Sequence, residues 1–123
     1  MRKALAYLLI TSILCFTACG SDAQIKYPEY SVVDNTALGC VELSYGGIIY
    51  RPFGVLPTKL RGTQIGIREG NPSTKIHEIK GYNSTEWIVE YLDVPMSGGD
   101  MIFKAVGVNE IPAELETHKE YDY

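Results

Sequence analysis

Glycine and proline interrupt this chain so often that it has little room for long helices. Twelve glycines and six prolines occur in 123 residues, and after the N-terminal segment they divide the sequence into short pieces, a spacing that suits strands and turns. The clearest unit is a hairpin. Gly39–Tyr45, containing Cys40, Val41, Glu42, Leu43 and Ser44, alternates imperfectly between apolar and polar residues, Gly46-Gly47 supplies two positions that tolerate positive φ, and Ile48-Ile49-Tyr50 follows. Two β-favouring runs joined by Gly-Gly read as a tight hairpin. Pro52 ends the second strand or places it at an edge.

Further strands follow by the same reading. Phe53–Arg61, with Gly54 and Pro57 inside it, reads as a loop. Ile65 and Ile67 stand at strand spacing within Thr63–Glu69, Gly70–Ser73 is a turn, and Lys75–Lys80 carries Ile76 and Ile79 as the partner strand. Asn83 followed by Glu86 has the form of a helix cap. The run Trp87–Leu92 is nevertheless rich in β-branched and aromatic residues and is assigned as a strand. Met101–Val106 is another strand, and the acidic residues after Ile111 read as a mobile tail. A small sheet must close or cover its edges. The expected fold is therefore mainly β: a small antiparallel barrel or half-barrel, of SH3-like or OB-like size, with five to six short strands. Its expected core is Trp87, Phe103, Ile48, Ile65, Val89 and Ile102.

The N-terminus has the three parts of a secretory signal. Arg2 and Lys3 form a positive start, Ala4–Phe16 is an uncharged, mostly apolar run of 13 residues, and the small residues Thr17 and Ala18 lead to Cys19. The run is shorter than the roughly 20 apolar residues of a membrane-spanning helix. Phe16-Thr17-Ala18-Cys19 resembles a bacterial lipobox, with Phe16 where leucine is usual. The resemblance implies that the Cys19 sulfur receives a diacylglyceryl group and that cleavage before it makes Cys19 the first mature residue. Two or more acyl chains hold a protein stably on a bilayer. It also implies a cell-membrane location on the extracytoplasmic face, and Gly20 after Cys19 resembles the pattern that permits sorting to an outer membrane where one exists. The remainder of the chain resembles no characterised family. The expected organisation is 1–18 lipoprotein signal peptide, 19–28 lipidated tether, 29–112 single β-rich domain and 113–123 acidic tail.

Charge narrows the partners. Without Arg2 and Lys3, nine basic residues face 15 acidic ones, so the mature charge is near −6. Nucleic acid requires a basic footprint and is not an expected partner. With Cys15 discarded and Cys19 lipidated, Cys40 is the single remaining thiol. Among Leu38, Val41 and Leu43 it reads as a buried structural cysteine, with an intermolecular disulfide as the sharper alternative.

Catalytic signatures are sparse. The sequence contains no CxxC, HExxH, GxSxG, phosphate-binding glycine loop or EF-hand loop. His77 and His118 lie far apart, Asp93 and Asp100 flank a glycine loop where calcium would need further oxygens, and Glu42, Glu78 and Glu90 sit on strands where two could approach as a pair. No cofactor or metal is implied. The candidate partner surface comprises Arg51, Lys59, Arg61 and Arg68, four basic residues close in sequence, with Tyr45, Tyr50 and Tyr82 beside glycine turns. The leading expectation is a non-enzymatic binding or scaffolding module, membrane-attached through Cys19 and engaging an envelope or secreted protein. The alternatives are an inhibitor or protective protein against a secreted or envelope-attacking enzyme, and a small hydrolase. Changing Cys19 to Ala is expected to leave the precursor unlipidated and to release it from membranes on carbonate washing. Retention of that variant after the wash refutes the anchor.

Overall fold

A computed structural model describes residues 26–92 and 99–123. The expected signal peptide, Cys19, the first part of the tether and Asp93 lie outside those residues. Seven strands form one closed barrel: β1 (Glu29–Asn35), β2 (Cys40–Tyr45), β3 (Ile48–Leu56), β4 (Arg61–Arg68), β5 (Asn71–Ile79), β6 (Trp87–Leu92) and β7 (Asp100–Ala105), in the spatial order β1-β2-β3-β7-β6-β5-β4. Neighbours are antiparallel except β1 and β4, which close the ring in parallel through Glu29↔Ile67 and Tyr30↔Arg68. The expectation of a small, mainly β barrel holds. The strand count is corrected from five or six to seven, and the barrel is mixed rather than wholly antiparallel.

The additional strand is β1, to which the sequence reading assigns no element, and β3 is longer than expected. β1 carries a short Tyr30/Val32 alternation that breaks at Val33. The expected loop Phe53–Arg61 begins as strand: β3 continues to Leu56 across a register shift between Pro52 and Gly54, and a single 3-10 turn, Thr58–Leu60, leads into β4. Gly46 and Gly47 take φ of 60° and 81° in the β2–β3 turn, as the hairpin reading requires. Trp87–Leu92 is a strand; Asn83 makes a turn before it, its side chain accepting from the Thr85 amide at 2.9 Å.

The sheet buries both faces. Inside the closed ring lie Tyr30, Leu43, Tyr50, Ile76, Ile88, Phe103 and Ala105, with Ile65 from β4 packed against them. On the opposite face lie Phe53, Leu56, Ile79, Trp87, Val89, Ile102 and Leu115. Of the expected core, Trp87, Val89, Ile102 and Phe103 are buried, and Ile48 and Ile65 are half-buried at the margin of the first cluster. The second cluster exists because the sheet is strongly twisted. Leu56 pairs with Asp100, and Arg61 pairs with Ile79. These are diagonally opposite corners of the β3–β7–β6–β5–β4 run, yet only Pro57–Leu60 separates them, and Arg61 Nη1 donates to Asp100 at 3.2 Å. Right-handed twist brings such corners together, so the sheet also cups around its second face.

The acidic C-terminal segment fills that cup, and the reading of it as a mobile tail is corrected. A one-turn helix α1 (Ala113–Glu116) buries Leu115 completely, and Ile111 and Val108 pack beside it. Beyond Tyr50, β3 has no β2 partner. The C-terminal chain takes the vacant edge: the Val55 amide donates to His118 O at 3.2 Å, and the Glu120 amide donates to Phe53 O at 2.9 Å. Pro52 sits where this edge begins, so its missing N–H removes no ladder bond to β2. Gly54 makes the approach possible, because a Cβ there would overlap the His118 backbone oxygen. Leu115→Ala is expected to cost about 2–5 kcal/mol in denaturant unfolding, as for other buried leucines. Gly54→Ala is expected to speed amide exchange at Val55 and Glu120 with little change at β6. Unchanged exchange at Val55 refutes the edge-cover role.

Candidate functional site

The four clustered basic residues do not form one surface. Arg51 Nε donates to Glu42 at 2.6 Å, Arg61 bonds Asp100 and lies 3.6 Å above the Tyr91 ring, and Arg68 sits 3.7 Å from Glu90. Lys59 is exposed on the 3-10 turn. The tyrosines separate as well. Tyr45 stacks on Tyr30 at 4.6 Å, Tyr82 is half-buried against the second core, and Tyr50 is 2% exposed with its hydroxyl donating to Ser84 O at 2.8 Å. Tyr50 therefore presents no ring to a partner, which corrects that expectation.

Strand pairing assembles a different cationic site. Arg51 on β3 pairs directly with Lys104 on β7. Both point to the second face, since their neighbours Tyr50 and Phe103 point into the ring. Like charges placed directly opposite across two strands repel. Lys119 joins them from the edge-covering segment, and the three cations line a recess of about 270 Å³ with Asn109, Tyr121 and Asp122. Glu42 neutralises Arg51 through Nε, and the terminal guanidinium nitrogens find no acceptor among the described residues. Asp122 holds Lys119 at 2.8 Å and raises its pKa through that hydrogen bond. Lys104 has no carboxylate partner among the described residues; its ammonium donates to Val108 O at 2.9 Å and Ala105 O at 3.3 Å. Burial, and then the charges of Arg51 and Lys119, depress its pKa.

Other recesses select less. A groove of about 600 Å³ beside β4 mixes Lys26 and Lys75 with Glu29, and one of about 380 Å³ near Gly47 and Val106 contains no charged side chain. Of the three strand glutamates, strand register puts two on one face. Glu78 and Glu90 lie on a diagonal of the β5–β6 pair, on the face that carries Ile76 and Ile88, whereas Glu42 faces the opposite way. Glu42 is held below the usual carboxylate range by hydrogen bonds from Arg51 and then Asn35. Burial raises Glu90, and Arg68 opposes the rise. Burial also raises Asp100, against Arg61 and His77. Glu90 and Asp100 occupy opposite faces, since Met101 is the register partner of Glu90.

The histidines are not assembled into one site by any strand pairing: His77 Nδ1 lies 2.9 Å from Gly62 O on β4, and His118 belongs to the C-terminal segment. Cys40 is half-exposed at the β1–β2 hairpin rather than buried, and desolvation raises its thiol pKa. Among the described residues no group of three or more His, Cys, Asp or Glu is arranged to hold a metal, and no helix is long and apolar enough to cross a membrane. In comparisons with known proteins, the chain matches no family model, curated protein or solved structure.

Glu90 provides a test of these electrostatics. Its folded pKa lies above its unfolded value near 4.5, so the native state binds more protons in the interval between the two, and stability falls as pH rises through it. Glu90→Gln removes the titration. The variant's denaturation midpoint is expected to gain on the native chain between pH 4.5 and pH 7.5, and a difference independent of pH refutes the assignment.

Proposed function

We propose that this chain is a lipid-anchored binding module on the extracytoplasmic face of a bacterial membrane, and that the recess at Arg51, Lys104 and Lys119 is where it holds an envelope or secreted protein. The observation that carries the reading is the Arg51–Lys104 cross-strand pair. A folded chain gains nothing from facing two cations across one ladder rung, and the cost is recovered when an anion sits between them. The setting favours selectivity. The anchored molecule is acidic overall, with a formal charge near −6 once Arg2 and Lys3 are removed, so extended polyanions are repelled while one well-placed negative group is drawn into the recess. The side chains of the first core occupy the interior of the ring, which leaves the outer recesses to take a ligand. A binding role needs no catalytic group, and the raised carboxyls Glu90 and Asp100, on opposite faces, do not form an acid–base pair.

The test is a crosslinking capture from envelope and secreted extract, with the full-length chain in detergent micelles as bait. One dominant, saturable protein is expected, recovered at least tenfold less by an Arg51→Gln/Lys104→Met variant and less as salt rises. Adding the chain to that protein and assaying its activity separates a scaffold from an inhibitor. A blank with folded bait, or capture indifferent to the double variant, refutes the recess as the binding surface.

A further inference from the structure

The chemical class of the ligand can be read from the local charge balance, granted that the recess is the ligand surface. Arg51, Lys104 and Lys119 bring three positive charges, and Glu42 and Asp122 return two negative ones. Glu116 adds a more distant negative charge at Lys119, so Arg51 and Lys119 each have a carboxylate, and Lys104 is the cation without one among the described residues. We propose that the recess takes a single carboxylate from an Asp or Glu side chain, or a chain terminus, of a protein partner, held by the terminal guanidinium nitrogens of Arg51 and the ammonium of Lys104.

Several observations favour this group over a phosphate. A phosphate monoester carries about −1.5 to −2 charge at pH 7 and would over-compensate the site, close to the carboxylates of Glu42 and Asp122. A carboxylate matches the one cation that lacks an acid and presents two oxygens to the planar edge of a guanidinium. The recess already accommodates such a group, since Asp122 is one of its lining residues and meets Lys119 at 2.8 Å. Tyr121 and Tyr123, stacked with ring centroids 5.8 Å apart, form a wall along which the aliphatic stem of an acidic residue can lie. An incoming carboxylate offsets the Arg51 and Lys119 charges that, after burial, depress Lys104, and so raises the pKa of that ammonium.

The experiment uses the full-length chain with ¹³C-labelled lysine in non-ionic detergent, following the Lys104 ε-methylene signal. The probes are a blocked tripeptide carrying one Asp, its Asn counterpart and inorganic phosphate. The Asp peptide is expected to give a saturable shift and an upward move of the Lys104 titration midpoint, and the Asn peptide neither. Arg51→Gln is expected to weaken the response tenfold or more, and Lys59→Gln, outside the recess, to leave it unchanged. If Arg51→Gln fails to fold for want of its bond to Glu42, Arg51→Lys keeps the charge, loses the planar fork and is expected to weaken the response severalfold. Phosphate saturating at tenfold lower concentration than the Asp peptide overturns the carboxylate assignment while leaving the recess as an anion site. No saturation by any probe overturns the assignment outright. If protein capture then also survives in Lys104→Met, the recess itself is excluded as the docking surface.

Discussion

Four residues, Pro57 to Leu60, span diagonally opposite corners of a five-strand run, and the rest of the architecture follows from that short link. A gently twisted sheet keeps such corners too far apart for the connection. Strong twist brings them together, at the cost of curling the sheet toward a face that a simple barrel leaves to solvent. That face then needs apolar residues of its own, with Trp87 and Phe53 in edge-to-face contact at 5.0 Å, and a plug, which Leu115 supplies. The far half of β3 leaves β2 behind and requires a cover for its edge. The C-terminal chain serves as both plug and cover, and the cationic recess is the space left between that chain and the β3–β7 ladder.

Electrostatics follow the same geometry. Most of the basic residues near the barrel wall are matched with acids from other elements: Arg61 with Asp100, Arg68 with Glu90, Arg51 with Glu42. Such matching is what a net acidic chain needs if its few cations are to be partly buried. Lys104 breaks the rule, bonded to backbone carbonyls and facing another cation. An exception of this kind within a well-compensated set is more informative than a count of positive charges.

Much of the fold was legible because turn chemistry is local. Gly46-Gly47 set the hairpin, and β-branched residues marked β4, β6 and β7. The burial of both faces hid the remainder. Alternation requires one wet face, and here Trp87, Ile88 and Val89 are consecutive and all buried, so the run could be read as helix or strand. The docking of the C-terminal segment rests on Leu115, one apolar residue among acids, which no periodicity marks, and on Gly54, whose need for space shows only when His118 lies over it. The site was less accessible still. Arg51 was identifiable as a basic residue near a turn, but Lys104 and Lys119 are remote in sequence, and only the β3–β7 register brings the first to it and the docked C-terminal segment the second. The sequence cluster of Arg51, Lys59, Arg61 and Arg68 was misleading because β3 and β4 are three strands apart in the ring.

The ring closes at its weakest seam, where β1 and β4 share two register pairs and the Pro28 carbonyl accepts from Ile67 at 3.0 Å. The chain also leads toward its N-terminus from this point. If Cys19 carries the proposed lipid anchor, a pull from the membrane is delivered to the start of β1 and so loads that seam first. The β3–β7 ladder carrying Arg51 and Lys104 lies across the ring from it, so tension on the anchor reaches the recess only after the seam has yielded. On the proposed anchoring and ligand site, the fold separates the end that would bear mechanical load from the end that would recognise a ligand.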